Sequence, residues 1–397
     1  MSRPVTQPVR RIRLLVPANV RHKSGGNVYN SRLARELATL GAVVELLPVE
    51  GTWPRASEDE RRRLAGVLGA AGAQPGDTNA RGTNARADAT TTVTGNAVTI
   101  VDGLIACGAP DELEDAAVAG HPVWILLHMP LAEHPRLEAR ALRAAAGVIC
   151  TSSSASARIT KRHDIHGVSV ALPGTDPAAL AAGSDPPHLV AVAALLPNKD
   201  QLLTIAALAR LTDLPWTAAL VGSDSADPGY AGLIRAAIGH HGLQDRVRIT
   251  GQLTGNRLEE EWGAADLSLL VSKAETFGLV VTESIARGIP VVVRGGTGAV
   301  EALALAGAAG PTAEAGERAG ENQAWPGAAV VLDTDPAPLA ALLRRWLTEP
   351  DIRDGWRLAA VRGRERLPRW DATARRVLEI VAGGRPDATA AGPADRQ

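Results

Sequence analysis

The stretch IRLLVPANVRHKSGGNVYNSRLARELATLGAVVELLPV, residues 12–49, most constrains what this chain can fold into. IRLLVP reads as a buried strand and SGGN as a glycine turn. In VYNSRLARELATLG the apolar residues Tyr29, Leu33, Leu37 and Leu40 share one helical face, and Gly41 stops the helix. AVVELLPV then resumes as strand. Strand, helix and strand in this order make a βαβ unit, and the alternation continues through VTIVDGLIA, HPVWILLHMP, LEARALRAAAGVICTS and VSVALPG. The first half is therefore expected to be α/β with a mostly parallel sheet.

The same grammar restarts after GTDPAALAAGSDPPH, a stretch rich in Pro, Gly and small residues that sets an expected domain boundary near residue 180. LVAVAALL, a helix over about 200–211, WTAALVG, a helix through 240, VRIT and AAVVLD form the second series. With 397 residues the chain has room for two domains, at roughly 100 to 200 residues each. The expected division is 1–180 for the first domain and 181–355 for the second, with helices over 356–382 packing across both and a disordered tail over 383–397. Residues 68–97 hold almost no large apolar side chain and a near repeat, DTNARGTNARAD, so a flexible insertion is expected there. Two successive parallel α/β domains suggest a crevice between them, and ligands of open parallel sheets bind beyond the carboxyl ends of the strands.

Within the second domain, SKAETFGLVVTESIARGIPVVV, residues 272–293, puts Glu275 in a loop and Glu283 on the helix that follows, before Gly288-Ile289-Pro290 stops it. Phe277, Gly278 and Leu279 supply backbone amides at that helix start, and Gly278 lets a ligand approach closely. Gly25 and Gly26 offer a second such end in the first domain, and two amide ends facing one crevice suit a diphosphate. Carboxylates beside such a site repel phosphate and would instead accept hydrogen bonds from hydroxyls, a sugar at one and a ribose at the other. The plainer alternative is that Glu275 caps the helix and Glu283 is solvated.

Other function classes fall away on composition. The 42 basic and 43 acidic residues form no long block of one sign, so no nucleic-acid partner is expected. The two cysteines, Cys107 and Cys150, make neither a disulfide framework nor a zinc spacing, and no metal site is expected; a reducing, cytoplasmic setting fits. No apolar run reaches the roughly 20 residues of a spanning helix, and MSRPVTQPVRRIR lacks the apolar core of a signal peptide. VVVRGGTGAVEALAL imitates a dinucleotide turn, but Glu301 stands at the third glycine position, which argues against a nicotinamide enzyme.

ETFGLVVTESIARGIPVVV resembles the E-x7-E signature of retaining glycosyltransferases of family 4, whose GT-B fold sets two Rossmann-like domains face to face with C-terminal helices returning to the first. GGNVYNSRLARELATLG is similar to the glycine loop and first helix of that family, LLHMPL to its acceptor-side His segment, and DRVRITGQLTGNRLEEEW to the loop and helix around the base. AVAALLPNKDQLLTIAAL resembles the stretch that carries an Arg and a Lys on the diphosphate. The resemblance covers nearly the whole chain outside the insertion and the tail. It implies that Glu275 holds donor-sugar hydroxyls, that Phe277, Gly278 and Leu279 amides meet sugar and diphosphate, that Glu283 binds ribose and that Lys199 binds phosphate. It further implies a hexose or amino-hexose donated from a nucleoside diphosphate, UDP first, as co-substrate, with no cofactor and no metal. Ala194 stands where the Arg is expected, and Arg294, just after the following strand, is the candidate to replace its charge.

His128, at the end of VWILLH, reads either as a hydrogen-bonded core residue or as a catalytic one; the resemblance places it near the reacting carbon. His134, His163, His240 and His241 read as surface residues. Asp111, Glu112, Glu114 and Asp115 either sit in the first turn of a helix or receive a cationic acceptor, and the resembled family includes enzymes that glycosylate aminocyclitols in antibiotic pathways. No basic amphipathic helix points to a membrane-bound acceptor, so a small soluble one is expected. A glycosyltransferase with a lipid or glycan acceptor, a non-hydrolysing sugar-nucleotide epimerase and a non-catalytic sugar-nucleotide binder are the alternatives.

Overall fold

A computed structural model describes residues 11–18, 24–69, 97–131, 133–307 and 325–383. The expected insertion, from residue 70 to 96, and the expected tail, from residue 384, lie outside the described residues.

The first domain runs β1 (Arg11–Pro17), α1 (Gly25–Thr39), β2 (Val43–Val49), α2 (Glu58–Leu68), β3 (Ala97–Asp102), α3 (Gly103–Gly108), α4 (Pro110–Val118), β4 (Trp124–Leu127), α5 (Pro135–Ala144), β5 (Gly147–Cys150), α6 (Ser153–His163) and β6 (Ser169–Val170). The second runs β7 (His188–Val192), α7 (Gln201–Leu208), β8 (Thr217–Val221), α8 (Pro228–His240), β9 (Val247–Gly251), α9 (Asn256–Ala264), β10 (Leu267–Leu270), α10 (Leu279–Ala286), β11 (Val291–Arg294), α11 (Ala299–Leu305) and β12 (Gly327–Val330). Helices α12 (Ala337–Thr348), α13 (Pro350–Gly363) and α14 (Trp370–Gly383) close the described chain.

Each domain holds a six-stranded sheet, ordered β2-β1-β3-β4-β5-β6 and β12-β11-β10-β7-β8-β9. The pairings are parallel, as the helical crossovers demand. Because side chains alternate across a strand, Ile12 and Leu14 enter the core under α1 and α14 while Leu15 enters the opposite one with Leu64 and Ile105. Val291 and Val293 likewise face Val281 and Ile285, whereas Val292 faces Leu339 and Trp346. In the central strands both faces are covered, which explains near-continuous apolar runs such as Trp124–Leu127 and Leu267–Leu270. With a single Phe in the chain, Trp216, Trp262 and Trp346 fill the largest interior volumes.

Several local expectations are corrected. Strand β3 ends at Asp102, whose side chain accepts from the Leu104 amide and starts α3, so VTIVDGLIA is half strand and half helix. Helix α12, within the expected second domain, packs there against α7, and α13, whose latter part was expected to span both domains, packs on the second domain too, against α10 and β12. Helix α14 returns to the first domain against α1, with Trp370 edge-on to Tyr29 at 5.5 Å. The chain therefore passes between the domains twice, and the two passages touch: the Thr175 amide donates to the Pro368 carbonyl at 2.8 Å. Among the described residues no helix is long and apolar enough to cross a membrane.

Candidate functional site

In each sheet the strand order reverses once, between β1 and β3 and between β7 and β10, and such switch points open a cleft at the carboxyl ends. A crevice of about 380 Å³ lies between the domains, with Gly25, Val28 and Arg32 of α1 on one wall and Val280, Thr282 and Glu283 of α10 on the other.

The α10 wall is built from the loop after β10. Phe277 is buried against Val281 and Ile285, anchoring the loop to the core. Gly278 has φ +87°, a left-handed conformation that side chains resist, and a Cβ there would also lie 2.9 Å from Leu270. It turns the chain directly into α10, which has no side-chain cap; the Val281 amide donates to the Gly278 carbonyl at 2.9 Å, and the Leu279 and Val280 amides before it stand at the uncapped helix start. Leu279 packs into the cores of both domains.

Lys199 follows β7 and Glu275 follows β10, and the switch point makes these neighbouring strands. Lys199 Nζ donates to Glu275 Oε1 at 2.5 Å, with both side chains mostly buried. The loops are stitched further by the Lys273 amide, which donates to the Asn198 carbonyl at 2.8 Å. Next to this pair Arg294 donates to Asp200 Oδ2 at 2.5 Å and to the carbonyls of Val271 and Leu332. Arg294 is 7% exposed and committed to those three acceptors, so it does not replace the charge missing at Ala194, as had been expected of it. Its task is to join β11 to the start of α7.

Sequence reading put a glycine turn at SGGN, but α1 already begins at Gly25, with Ser24 as its cap accepting from the Asn27 amide. Gly26 backs onto His128: a Cβ there would stand 3.1 Å from the imidazole Cδ2. Nε2 of His128 is 2.9 Å from Asn30 Oδ1 and 3.4 Å from Asp102 Oδ2, while Asn30 Nδ2 donates to the same Asp102 oxygen at 2.9 Å. Tyr29 stands edge-on to the imidazole and donates its hydroxyl to the Ala171 carbonyl; burial pushes its phenol pKa up. Burial works to raise the Asp102 pKa, but the hydrogen bond and charge of His128, the Leu104 amide and Asn30 outweigh it and hold it below the ordinary carboxylate value. His128 is thus hydrogen-bonded into the interior and at the same time abuts the helix start that lines the crevice. Asn30 and Asp102 were missed in the sequence; the available signal was a polar residue at a buried position of the α1 face, beside Tyr29 and Leu33.

A second group in the crevice also escaped sequence reading. Arg287 donates to both Glu259 oxygens, to the Glu283 carbonyl, and lies over the Trp262 ring at 5.3 Å. This joins α9 to α10 around Glu283, whose i+4 relation to Arg287 was the only local hint. Outside the crevice, Arg140 takes Asp111 and Glu114 and Arg61 takes Glu112, so these acids are neutralised within their own domain. His163, expected on the surface, is buried at 2.6 Å from Glu138.

Two facing parallel-sheet domains with a crevice between their switch points define the GT-B class of α/β fold. Solved structures bear this out: sucrose-phosphate synthase from Thermosynechococcus elongatus superposes with a TM-score of 0.67 at 18% identity, covering 94% of this chain and 98% of that one. Anabaena HepE, solved in complex with UDP and glucose, gives 0.65 at 15%, covering 94% and 100%. At these identities the likeness is one of fold. In sequence, residues 174–360 match the family Glycosyl transferases group 1, which takes in the second domain with Lys199, Glu275 and Glu283. A D-inositol 3-phosphate glycosyltransferase of Thermomonospora curvata is 36% identical over 154 residues, 38% of this chain and 31% of the relative's own length.

Proposed function

We propose that this protein transfers a sugar from a nucleoside diphosphate donor, UDP first, to a hydroxyl of a small soluble acceptor, with retention at the anomeric carbon. The observation that carries the reading is the meeting of Lys199 and Glu275 at the carboxyl ends of the paired strands β7 and β10, at the switch point of the second sheet. An ammonium and a carboxylate held together at 2.5 Å are a ready exchange. When a diphosphate enters, Lys199 turns to it, and Glu275 is released to accept from sugar hydroxyls. The α10 amides from Leu279, with Phe277 and Gly278 before them, and the α1 end at Gly25 and Gly26 receive the remaining phosphate charge. Glu283, on the crevice wall, takes the ribose, and His128 flanks the reacting carbon. The charge on the leaving diphosphate is met by the chain's own groups, so the reading needs no metal and no cofactor. The acceptor attacks on the face the diphosphate leaves.

The relative's name supports a cyclitol acceptor. We propose that class, aminocyclitols included, although the acids on α4 no longer argue for a cationic one because Arg140 and Arg61 already hold three of them. Buried, unpaired Cys107 and Cys150 agree with a reducing cytoplasm. The test is calorimetric titration of UDP, GDP, ADP and TDP without added metal, on the native protein and on Glu283→Ala. Binding of one nucleotide, weakened about tenfold or more in the variant, is expected for a lost charge-assisted ribose contact. Absence of binding by all four would overturn the reading, and turnover that demands glycolipid vesicles would overturn the soluble acceptor.

A further inference from the structure

The amides from the N-cap through the third helical residue have no partner inside a helix, and for α6 three of them are accounted for. The Ala155 amide donates to Ser152 Oγ at 3.0 Å, ahead of the first regular helical bond from the Ser156 amide to the Ser152 carbonyl at 3.1 Å. The other two come from across the crevice: Ser153 and Ser154 amides donate to Oε1 and Oε2 of Glu301, at 2.9 and 3.1 Å. A second-domain carboxylate thus caps a first-domain helix with both oxygens, where the helix dipole favours negative charge.

Glu301 lies in the first turn of α11, and its position is tied to the loop that carries Glu275. The Glu301 amide donates to the Gly298 carbonyl at 3.1 Å, and the Gly298 amide donates to the Glu275 carbonyl at 2.8 Å. No side chain fits at Gly298, where a Cβ would lie 1.8 Å from the Thr276 carbonyl oxygen. Ala299 packs in the same core as Phe277, so α11 and the loop shift together or not at all.

We propose that Glu301 is a positioning residue that couples approach of the two domains to the placement of Glu275. With the domains together, its carboxylate caps α6, and the short path through Gly298 holds the Glu275 loop in register with Lys199. With the domains apart, the carboxylate and both amides return to water and the loop loses that restraint. The inference rests on the glycosyl-transfer reading for its catalytic consequence but not for the contact itself.

Spin labels at Val118→Cys and Leu233→Cys, exposed sites in the first and second domains, report the interdomain distance by electron double resonance, because both native cysteines are buried. In that background Glu301→Ala removes the carboxylate. Ser153→Pro removes one amide at the first helical position, where proline is accommodated and the extended Ser152 before it is compatible. Both are expected to shift the distribution toward longer distances, with the short-distance population falling about tenfold for Glu301→Ala and less for Ser153→Pro. The double variant should add little to Glu301→Ala. Glu301→Gln, which retains one acceptor oxygen, should fall between. Unchanged distributions in Glu301→Ala and Ser153→Pro would overturn the proposal, whether or not a nucleotide binds. Kinetically, Glu301→Ala should lower kcat about tenfold with UDP affinity within about twofold; a longer distance with kcat unchanged would overturn the coupling to Glu275. Failure of the native protein to bind any nucleotide would sink the transferase reading and the catalytic half of the inference, leaving the distances to judge the latch.

Discussion

Both walls of the crevice begin a helix, α1 on one side and α10 on the other, yet they differ in what stands behind the helix start. Helix α1 is capped by Ser24 and backed by a hydrogen-bonded cluster, His128, Asn30 and Asp102, that is complete without a ligand. Helix α10 has no side-chain cap and is flanked by ion pairs, Lys199 with Glu275 and Arg294 with Asp200. The first wall supplies shape and a fixed surface for close approach. The second holds its charge in pairs. Under the proposed transfer, a ligand is recognised by ion-pair exchange on the second wall and, on the first, by fit against a fixed surface that also presents the Gly25 and Gly26 amides.

The contrast can be broken most directly at Lys199. Lys199→Ala is expected to lower kcat/KM about 10²- to 10³-fold, the range for losing one donor to developing negative charge, with the fold intact by circular dichroism. Arg294→Ala sharpens the difference between the two ion pairs of that wall. It should cost about 3 kcal/mol in denaturant titration by leaving Asp200 largely buried with only Lys273, 3.4 Å away, while nucleotide affinity in the folded fraction stays within about twofold.

On the first wall, Asn30→Ala should cost about 1 to 3 kcal/mol of stability by unpairing buried groups on His128 and Asp102. Asp102 also sets a pH dependence. Its folded pKa is depressed, so the unfolded chain binds the proton first. The stabilisation is whole above the ordinary carboxylate value, about pH 4, and is lost as pH falls through the folded value. Asp102→Asn should flatten that acid limb of the stability curve. The smallest effect is expected for Gly26→Ala. Replacing a glycine inside a helix stabilises by up to about 1 kcal/mol, but the new methyl presses on His128. A gain or no change in the unfolding midpoint with a severalfold loss of turnover would confirm that this wall works by fit. Unchanged turnover would break the comparison.

The alternation of apolar runs with amphipathic ones made both sheets legible in the sequence, because strand and helix periods are local. Glu275 in a loop and Glu283 on a helix could be read for the same reason, from Gly278 and the stop at Gly288. The partners could not. Arg294 meets Asp200, Glu301 meets Ser153 and Asn30 meets His128 across long separations that no periodicity encodes. The expectation that Arg294 would replace the charge missing at Ala194 failed on this point: Arg294 is the last residue of β11, and its buried guanidinium takes the nearest acceptors, Val271, Leu332 and Asp200. For the α4 acids the helix-start reading holds at Asp111 and Glu112, but the partner Arg140, two elements away, was not legible.

The paired passages between the domains have a mechanical consequence. A domain hung on one strand of chain behaves like a weight on a string, free to swing and spin. Here the segments at Thr175 and Pro368 lie side by side and are bonded to each other, with Gly174 pressed so close to Trp370 that a Cβ would stand 2.2 Å from its backbone nitrogen. Two bonded strands make a ribbon, which flexes readily across its flat face and resists both spin about its length and bending in its own plane. Any movement of the two jaws would therefore be more restricted than on a single passage, and each return would bring the same residues face to face.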